Sequence, residues 1–283
     1  MRYRTPTMPL RFAANLSLLY PDVPFLDRFA AASADGFAGV EFLYPYAYPA
    51  GHIAQLLRQH GLQQVLFNAP PGGVTREDMT TAWDRGQRGS LVHADQQAAF
   101  EASIHLALEY AQTLACPRVH VMSGIAPAGA NRTALTRLAV QRLQWAAERA
   151  APLGITLMIE PINGRDMPGY FLQHQADAHA IVQAVGSAHV QVQMDLYHCQ
   201  IVEGDITTKL RHYLPTGRVG HLQIASVPDR NEPSLGELDY RHVFGELERL
   251  GWQGWIGCEY RPAGGAQPGA TSHGLHWRPA HAV

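Results

Sequence analysis

Four oxygen-bearing side chains, Glu160, Asp195, Gln223 and Glu259, each close a short apolar run: ITLMIE, VQVQMD, VGHLQ and GWIGCE. They are spaced by 35, 28 and 36 residues. One βα unit of a barrel of about 250 residues takes roughly 30 residues, so this period would bring all four to one end of a shared sheet. Three carboxylates and an amide oxygen, completed by water or substrate oxygens, form a hard oxygen site that suits Mg²⁺ or Mn²⁺ rather than zinc. Without a cation, three carboxylates in one dry cleft would repel one another and hold protons more tightly. Ion pairing with Arg165, Arg230 or Arg261 is the competing account of any single one. Four strand-end positions in register are harder to explain that way.

Glu160 and Glu259 would face each other across such a site. Two carboxylates flanking a metal-bound hydroxy-carbonyl group can run an isomerisation: one removes the proton α to the carbonyl, the metal stabilises the enediolate, and the other returns a proton to the neighbouring carbon. His198, three residues beyond Asp195, could donate to the oxygen on which charge builds, or be a loop histidine satisfied by backbone. His221 alternates with Gln223 and points the same way, in a core or supporting role. Arg230, in SVPDRNEP, could clamp a substrate carboxylate bidentately, unless Glu232 pairs with it. Asn68, at the end of the third strand, and Arg88, in the loop that follows, are further candidate substrate contacts. The aromatic residues near the mouth (Tyr44, Tyr46, Trp83, Tyr170 and Tyr197) suit packing better than substrate binding.

The elements that must position these groups alternate along the chain. Strand patterns fall at residues 11–17, 38–43, 62–68, 118–123, 155–160, 190–195, 219–224 and 255–259, with Glu41 near the end of the second. Helical patterns lie between them, at 24–34, 53–60, 94–115, 131–151, 176–185, 206–213 and 240–250. The strands are too uniformly apolar to face water on one side, and belong in a parallel sheet covered by helices. Eight units in about 260 residues predict a single-domain (β/α)₈ barrel. Residues 10–262 form it, after an N-terminal extension at 1–9. The tail at 263–283, rich in Gly, Pro and His, is expected to be weakly ordered or draped over the surface. Residues 69–93, polar and glycine-rich without an apolar period, read as a lid or binding loop.

Composition narrows the function further. The 283 residues are 46% hydrophobic and carry 22 basic and 24 acidic side chains, a formal charge of −2. That argues against a nucleic-acid footprint. No G-x-G-x-x-G follows the first strand and no Walker A sequence occurs, which lowers dinucleotide and NTPase readings. Lys209 is the only lysine and falls in a polar helix, so a Schiff-base mechanism has one poorly placed candidate. Cys116, Cys199 and Cys258 are widely separated and suit reduced, buried thiols. Residues 1–9 lack an apolar signal-peptide core and no run approaches ~18 apolar residues. The expectation is a cytoplasmic protein, not membrane-bound, with homo-oligomerisation left open.

The stretches FAANLSLLYPDVPFLDRFAAAS, GVEFLYPY, IEPINGRDMPGYFL, DLYHCQIVEGD, GHLQIASVPDRNEP and GWIGCEYRP together resemble the hydroxypyruvate isomerase family, which includes the 2-oxo-tetronate isomerases. The likeness covers residues 11–262. It implies a xylose-isomerase-like TIM barrel, related to sugar epimerases and apurinic endonucleases, with Glu160 and Glu259 as the proton-transferring pair. It also implies a divalent metal at Glu160, Asp195, Gln223 and Glu259, and, by looser likeness to ketose 3-epimerases, substrate contacts from His198 and Arg230. Residues 86–100 lack the Pro-Gly-Arg of relatives. IEPIN is similar to the hydroxypyruvate branch, RVHVMSG and SVPDRNEP to the oxo-tetronate branch. The implied reaction interconverts hydroxypyruvate and tartronate semialdehyde on a small hydroxy-oxo acid, with isomerisation of 2-dehydrotetronate next. A ketose 3-epimerase, a metal-dependent nuclease on the same barrel and a non-catalytic sugar-acid binder are the remaining readings. The charge of −2 and Gln223 argue against the nuclease, and a binder has no need of two facing glutamates.

Overall fold

Both faces of the strands are enclosed, and little of them meets water. Val40 and Phe42, Val65 and Phe67, and Leu157, Met158 and Ile159 are all buried. The computed structural model, which describes residues 9–279, arranges them as eight parallel strands in chain order that close on themselves. They are β1 (Arg11–Asn15), β2 (Gly39–Phe42), β3 (Gln63–Asn68), β4 (Arg118–His120), β5 (Thr156–Ile159), β6 (Val190–Asp195), β7 (Val219–Ile224) and β8 (Trp255–Cys258). β8 returns to β1 in the register Arg11↔Trp255 to Ala14↔Cys258. This is the single-domain (β/α)₈ TIM barrel that the alternation predicts.

The helices outside are α1 (Arg28–Ala34), α2 (Ala50–His60), α3 (Arg76–Thr81), α4 (Gln97–Thr113), α5 (Arg132–Ala150), α6 (Gln175–Val185), α7 (Leu196–Val202), α8 (Ile206–Tyr213), α9 (Tyr240–Arg249) and α10 (Ala270–Gly274). Several starts are set by side-chain caps that take up otherwise orphaned amides. Asn131 accepts from Ala134 N and Asp239 from Arg241 N. Gly61 ends α2 at φ 65°, a conformation that glycine adopts without the penalty of a Cβ.

The main apolar core lies between sheet and helices. A separate small cluster of Ala13, Val65, Met158 and Trp255 fills the N-terminal end of the barrel. A Cβ on Gly39 would come within 2.6 Å of the Trp255 ring, so glycine there makes room for the plug. Further along the strands the interior turns polar, with Glu41, Gln193, His221 and Gln223 all fully enclosed. That layer supports the strand ends above it.

Three expectations need correction. A seven-residue helix, α7, begins directly after Asp195, where the sequence suggested only a loop. The segment at 69–93 contains α3, capped by Thr75, which accepts from Asp78 N. The tail is packed rather than draped: Thr271 Oγ1 accepts from Tyr20 N at 2.7 Å, and Trp277 meets Phe12 and Phe244 with ring centroids 5.2 and 5.9 Å apart. Together with α10 it covers the outside of the β8–β1 seam. Except for Pro9 the N-terminal extension lies outside the described residues, as does the end of the tail from 280 on.

Candidate active site

All four strand-end groups arrive at the C-terminal end of the barrel. Glu160 follows β5, Asp195 ends β6, Gln223 lies in β7 and Glu259 follows β8. Each is buried. Asp195 has two jobs, because its Oδ1 accepts from Tyr197 N at 2.8 Å and so caps α7. The cap turns Oδ2 inward, where it has no hydrogen-bond partner; Glu160 Oε1 is also without one. Helix α7 in turn lifts His198 over both carboxylates. Asn163 Nδ2 lies 2.7 Å from His198 Nδ1, and a donor there leaves the proton on Nε2. That nitrogen is 3.6 Å from Asp195 Oδ2 and 3.9 Å from Glu160 Oε1.

Arg230 supplies the positive charge. Its Nη2 is 2.7 Å from Glu259 Oε1 and 3.7 Å from Asp195 Oδ2, and its guanidinium sits 4.8 Å above the Tyr197 ring. The residue holds φ 57°, a strained value for a side chain with a Cβ. Backbone bonds to Ser226 O and from Arg261 N keep it there. Glu232 does not pair with it; its carboxylate accepts instead from Ala263 N. One guanidinium among three carboxylates leaves excess negative charge. Burial, then Glu259 and Asp195, push Glu160 well above the usual carboxylate range. Burial pushes Asp195 up to about 6 and Glu259 up to about 8, each against the pull of Arg230. Burial and Arg230 hold His198 well below the usual imidazole value, so it is neutral.

The glutamines beneath connect these groups. Gln223 Nε2 donates to Glu259 Oε2, and to Glu41 Oε1 at 2.8 Å. Gln223 Oε1 accepts from Gln193 Nε2 at 2.7 Å, and the same Gln193 nitrogen donates to Glu160 Oε2 at 3.0 Å. His221 belongs to this layer, its Nε2 2.7 Å from Glu41 Oε2.

A cleft of about 390 Å³ opens above, with Tyr44, Trp83, Met122 and Met167 on its apolar side and Glu160, His198 and Arg230 on its polar side. Asn68 lines it, its Oδ1 3.3 Å from His120 Nδ1. Arg88 is not among the residues that line this cleft. It stacks 3.8 Å from the Trp83 ring and donates to the carbonyls of Trp83 and Gln87, so it braces the loop behind the cleft wall. Trp83, read as packing, is the residue from that loop that reaches the cleft.

The sequence reading missed His120. It lines the cleft 3.6 Å from Glu160 Oε2, with Nε2 unpartnered, and burial drops its pKa to about 3. Its place at the end of β4, hydrogen-bond partner of Asn68 across the sheet, was the available signal. Gln193 was missed as well, although it falls two residues before Asp195 and so on the same side of β6.

A buried carboxylate cluster at the mouth of a closed eight-stranded barrel defines a class, and the comparisons agree with it. The chain belongs to the xylose isomerase-like TIM barrel family, whose family model matches residues 29–280. Within that family it is an isomerase enzyme. It is 49% identical to the 2-oxo-tetronate isomerase of Cupriavidus necator, over 94% of this chain and 96% of that protein. It is 35% identical to the hydroxypyruvate isomerase of Escherichia coli, over 95% of this chain and 98% of that one. Among solved structures, an AP endonuclease, family 2, from Brucella melitensis matches with TM-score 0.87 and 46% identity, over 95% of this chain and 98% of that chain. A 3-keto-D-glucoside 4-epimerase from E. coli, at TM-score 0.74 and 19% identity over 95% of this chain and 98% of that chain, shares the fold.

Proposed function

We propose that this enzyme moves the carbonyl of a short hydroxy-oxo acid by one carbon, with 2-oxo-tetronate as first substrate and hydroxypyruvate as second. The order reverses the expectation from motifs alone. It rests on the relatives named 2-oxo-tetronate isomerase, at 49%, 43% and 40% identity, against 41% for the mouse and human proteins named putative hydroxypyruvate isomerase and 35% for the E. coli hydroxypyruvate isomerase. The observation that carries the reaction type is the pair Glu160 and Glu259, two buried carboxylates with raised proton affinity in one cluster.

In the forward direction one carboxylate takes the proton from C3 of 2-oxo-tetronate, and the electron pair forms the C2–C3 double bond of an enediolate. The other returns a proton to C2 while the C3 hydroxyl proton passes to the C2 oxygen, so atoms and electrons balance in the 3-oxo product. His198 Nε2–H is placed to donate to the oxygen on which charge builds. Arg230 and Asn68 would bind the substrate's carboxylate and hydroxyl groups, with Arg88 acting only through Trp83. Trp83 and Tyr44 shield the enediolate from water.

The site fits a divalent cation, Mg²⁺ or Mn²⁺, because two enclosed carboxylate oxygens, on Glu160 and Asp195, have no hydrogen-bond partner. Ligand atoms on Glu160 and Asp195 lie within 4.8 Å of each other, and His198 beside them keeps its Nε2 proton for the substrate oxygen. Gln223 Oε1, which keeps a second lone pair beside its bond from Gln193, and Glu259, once released from Arg230, would complete the expected oxygen set. Bound there, the cation would offset the excess carboxylate charge and stabilise negative charge on substrate oxygens.

Proton NMR of the cation-supplemented protein in D₂O tests the reading, with 2-oxo-tetronate and hydroxypyruvate offered separately. Deuterium at the new carbinol carbon supports enediolate chemistry, and the faster acid fixes the substrate. No product and no exchange with either acid overturns the reaction. Likeness to the AP endonuclease, family 2, of Brucella melitensis makes a nuclease the second reading. Incision of abasic DNA by a sample inert toward both acids would establish it; the formal charge of −2 argues the other way.

A further inference from the structure

Glu41 lies below the cleft and touches none of it, yet three donors converge on its carboxylate. Asn15 Nδ2 is 3.0 Å from Oε1, Gln223 Nε2 2.8 Å from Oε1, and His221 Nε2 2.7 Å from Oε2. The barrel is shaped to admit this group. A Cβ on Gly257 of β8 would stand 2.3 Å from both Glu41 oxygens, so the strand carries a glycine where the carboxylate crosses it.

The direction of the hydrogen bonds gives the arrangement a consequence. A carboxylate accepts and does not donate. Facing one, Gln223 must present its NH₂, which also serves Glu259 Oε2. Its carbonyl then points the other way, toward Gln193. Gln193 must answer with its own NH₂, and that nitrogen also donates to Glu160 Oε2. Both amide orientations therefore follow from the acceptor at one end of the row.

We propose that Glu41 is a positioning residue of the isomerisation, locking Gln223 and Gln193 so that each turns an amide N–H toward one of the two proton-transferring carboxylates. The inference rests on the roles given above to Glu160 and Glu259. A free amide can flip at little cost, and a flipped Gln193 would set its carbonyl against Glu160 and repel it. Glu41 removes that alternative without contacting substrate.

The test is Glu41→Gln, which keeps the shape but adds a donor. In the metal-free protein, labelled with ¹⁵N in glutamine side chains, the NH₂ signals of Gln193 and Gln223 are followed; each is assigned by its own Met substitution. These two signals should be slow to exchange in the wild type, and shifted and faster in Glu41→Gln. In the cation-loaded enzyme kcat should fall about tenfold or more while KM stays within about twofold, since no substrate contact is lost. Gly257→Ala, whose methyl group would push on the carboxylate from β8, should move the same two signals in the same direction if Glu41→Gln fails to fold. Unchanged glutamine signals in a folded variant overturn the proposal, and so do shifted signals with unchanged kcat. A wild-type protein inert on both acids would instead overturn the assigned reaction, while the amide signals still report on the lock.

Discussion

Removing divalent cations and raising the pH from 7 to 8 should destabilise the folded protein, in a window chosen by sign. Glu259 titrates near 8 when folded, against an ordinary 4.5. A raised folded pKa means that its stabilising share is complete below the unfolded value and is lost as pH rises through the folded one. At pH 7 the folded carboxyl holds about 0.9 proton and at pH 8 about 0.5, while the unfolded chain holds almost none. Integrated over the unit, this costs about 1 kcal/mol, roughly 2–4 °C in Tm for a chain of this size. Glu160, raised well above its ordinary value, acts in the same direction. Buried histidines act in the opposite direction but lower down. His120, pushed to about 3, and His179, to about 4, favour the unfolded state only below an ordinary value of 6.5. The thiols of Cys116 and Cys199, raised from 9.0 to about 12, matter only near and above 9. Scanning calorimetry of chelator-treated protein at pH 7.0 and 8.0, beside Glu259→Gln, makes the measurement, in buffers of matched ionic strength. The wild type should lose its few degrees and the variant visibly less. Millimolar Mn²⁺ should flatten or reverse the slope, because a cation favours ionised carboxylates. A metal-free Tm that holds or rises across the unit, or an equal slope in the variant, refutes the reasoning.

Other substitutions separate the roles. Glu160→Gln should lower kcat by about 10²–10⁴-fold, the usual worth of a general acid or base, with substrate affinity by calorimetry changed much less. Arg230→Ala should raise KM more for acid substrates than for neutral ketoses; equal effects would sink the carboxylate clamp. The same change strips Glu259 of its partner, so chelator-treated Arg230→Ala should melt lower, and by more at pH 8 than at pH 7, where Glu259 is mostly protonated and leaves little unpaired charge. Trp277→Ala removes an aromatic packed on Phe12 and Phe244 and should cost about 2 kcal/mol, read as a lower urea midpoint at unchanged m.

The barrel was legible because its strands are short, largely apolar and recur at a regular period, signals that survive without tertiary context. The four strand-end side chains were legible for the same reason: the period places them whatever the helices do. Helix α7 was not, since it is short and its cap is Asp195, a residue whose spacing already had another meaning. Thr75 with Asp78 three residues on was a readable cap for α3, masked by the polar, glycine-rich run around it. Composition misled at the tail, where Thr271, Ser272, Leu275, Trp277 and Arg278 make the packing among glycines and histidines. Arg88 shows a further limit. The sequence placed it in the right loop, but a guanidinium beside a tryptophan can stack as readily as it can reach a ligand. The lock by Glu41 could not be read at all, because it depends on β2, β6 and β7 meeting inside the closed barrel.

The seam between β1 and β8 has a consequence for synthesis. Arg11 pairs across it with Trp255, and Tyr20 with Thr271, so the barrel's first strand waits for its eighth before its second edge is filled. Until then β1 exposes an unpaired, apolar edge of the kind that recruits strands from other molecules. Elongation rate and chaperone supply should therefore govern the yield of soluble enzyme more strongly than the equilibrium stability of the finished barrel.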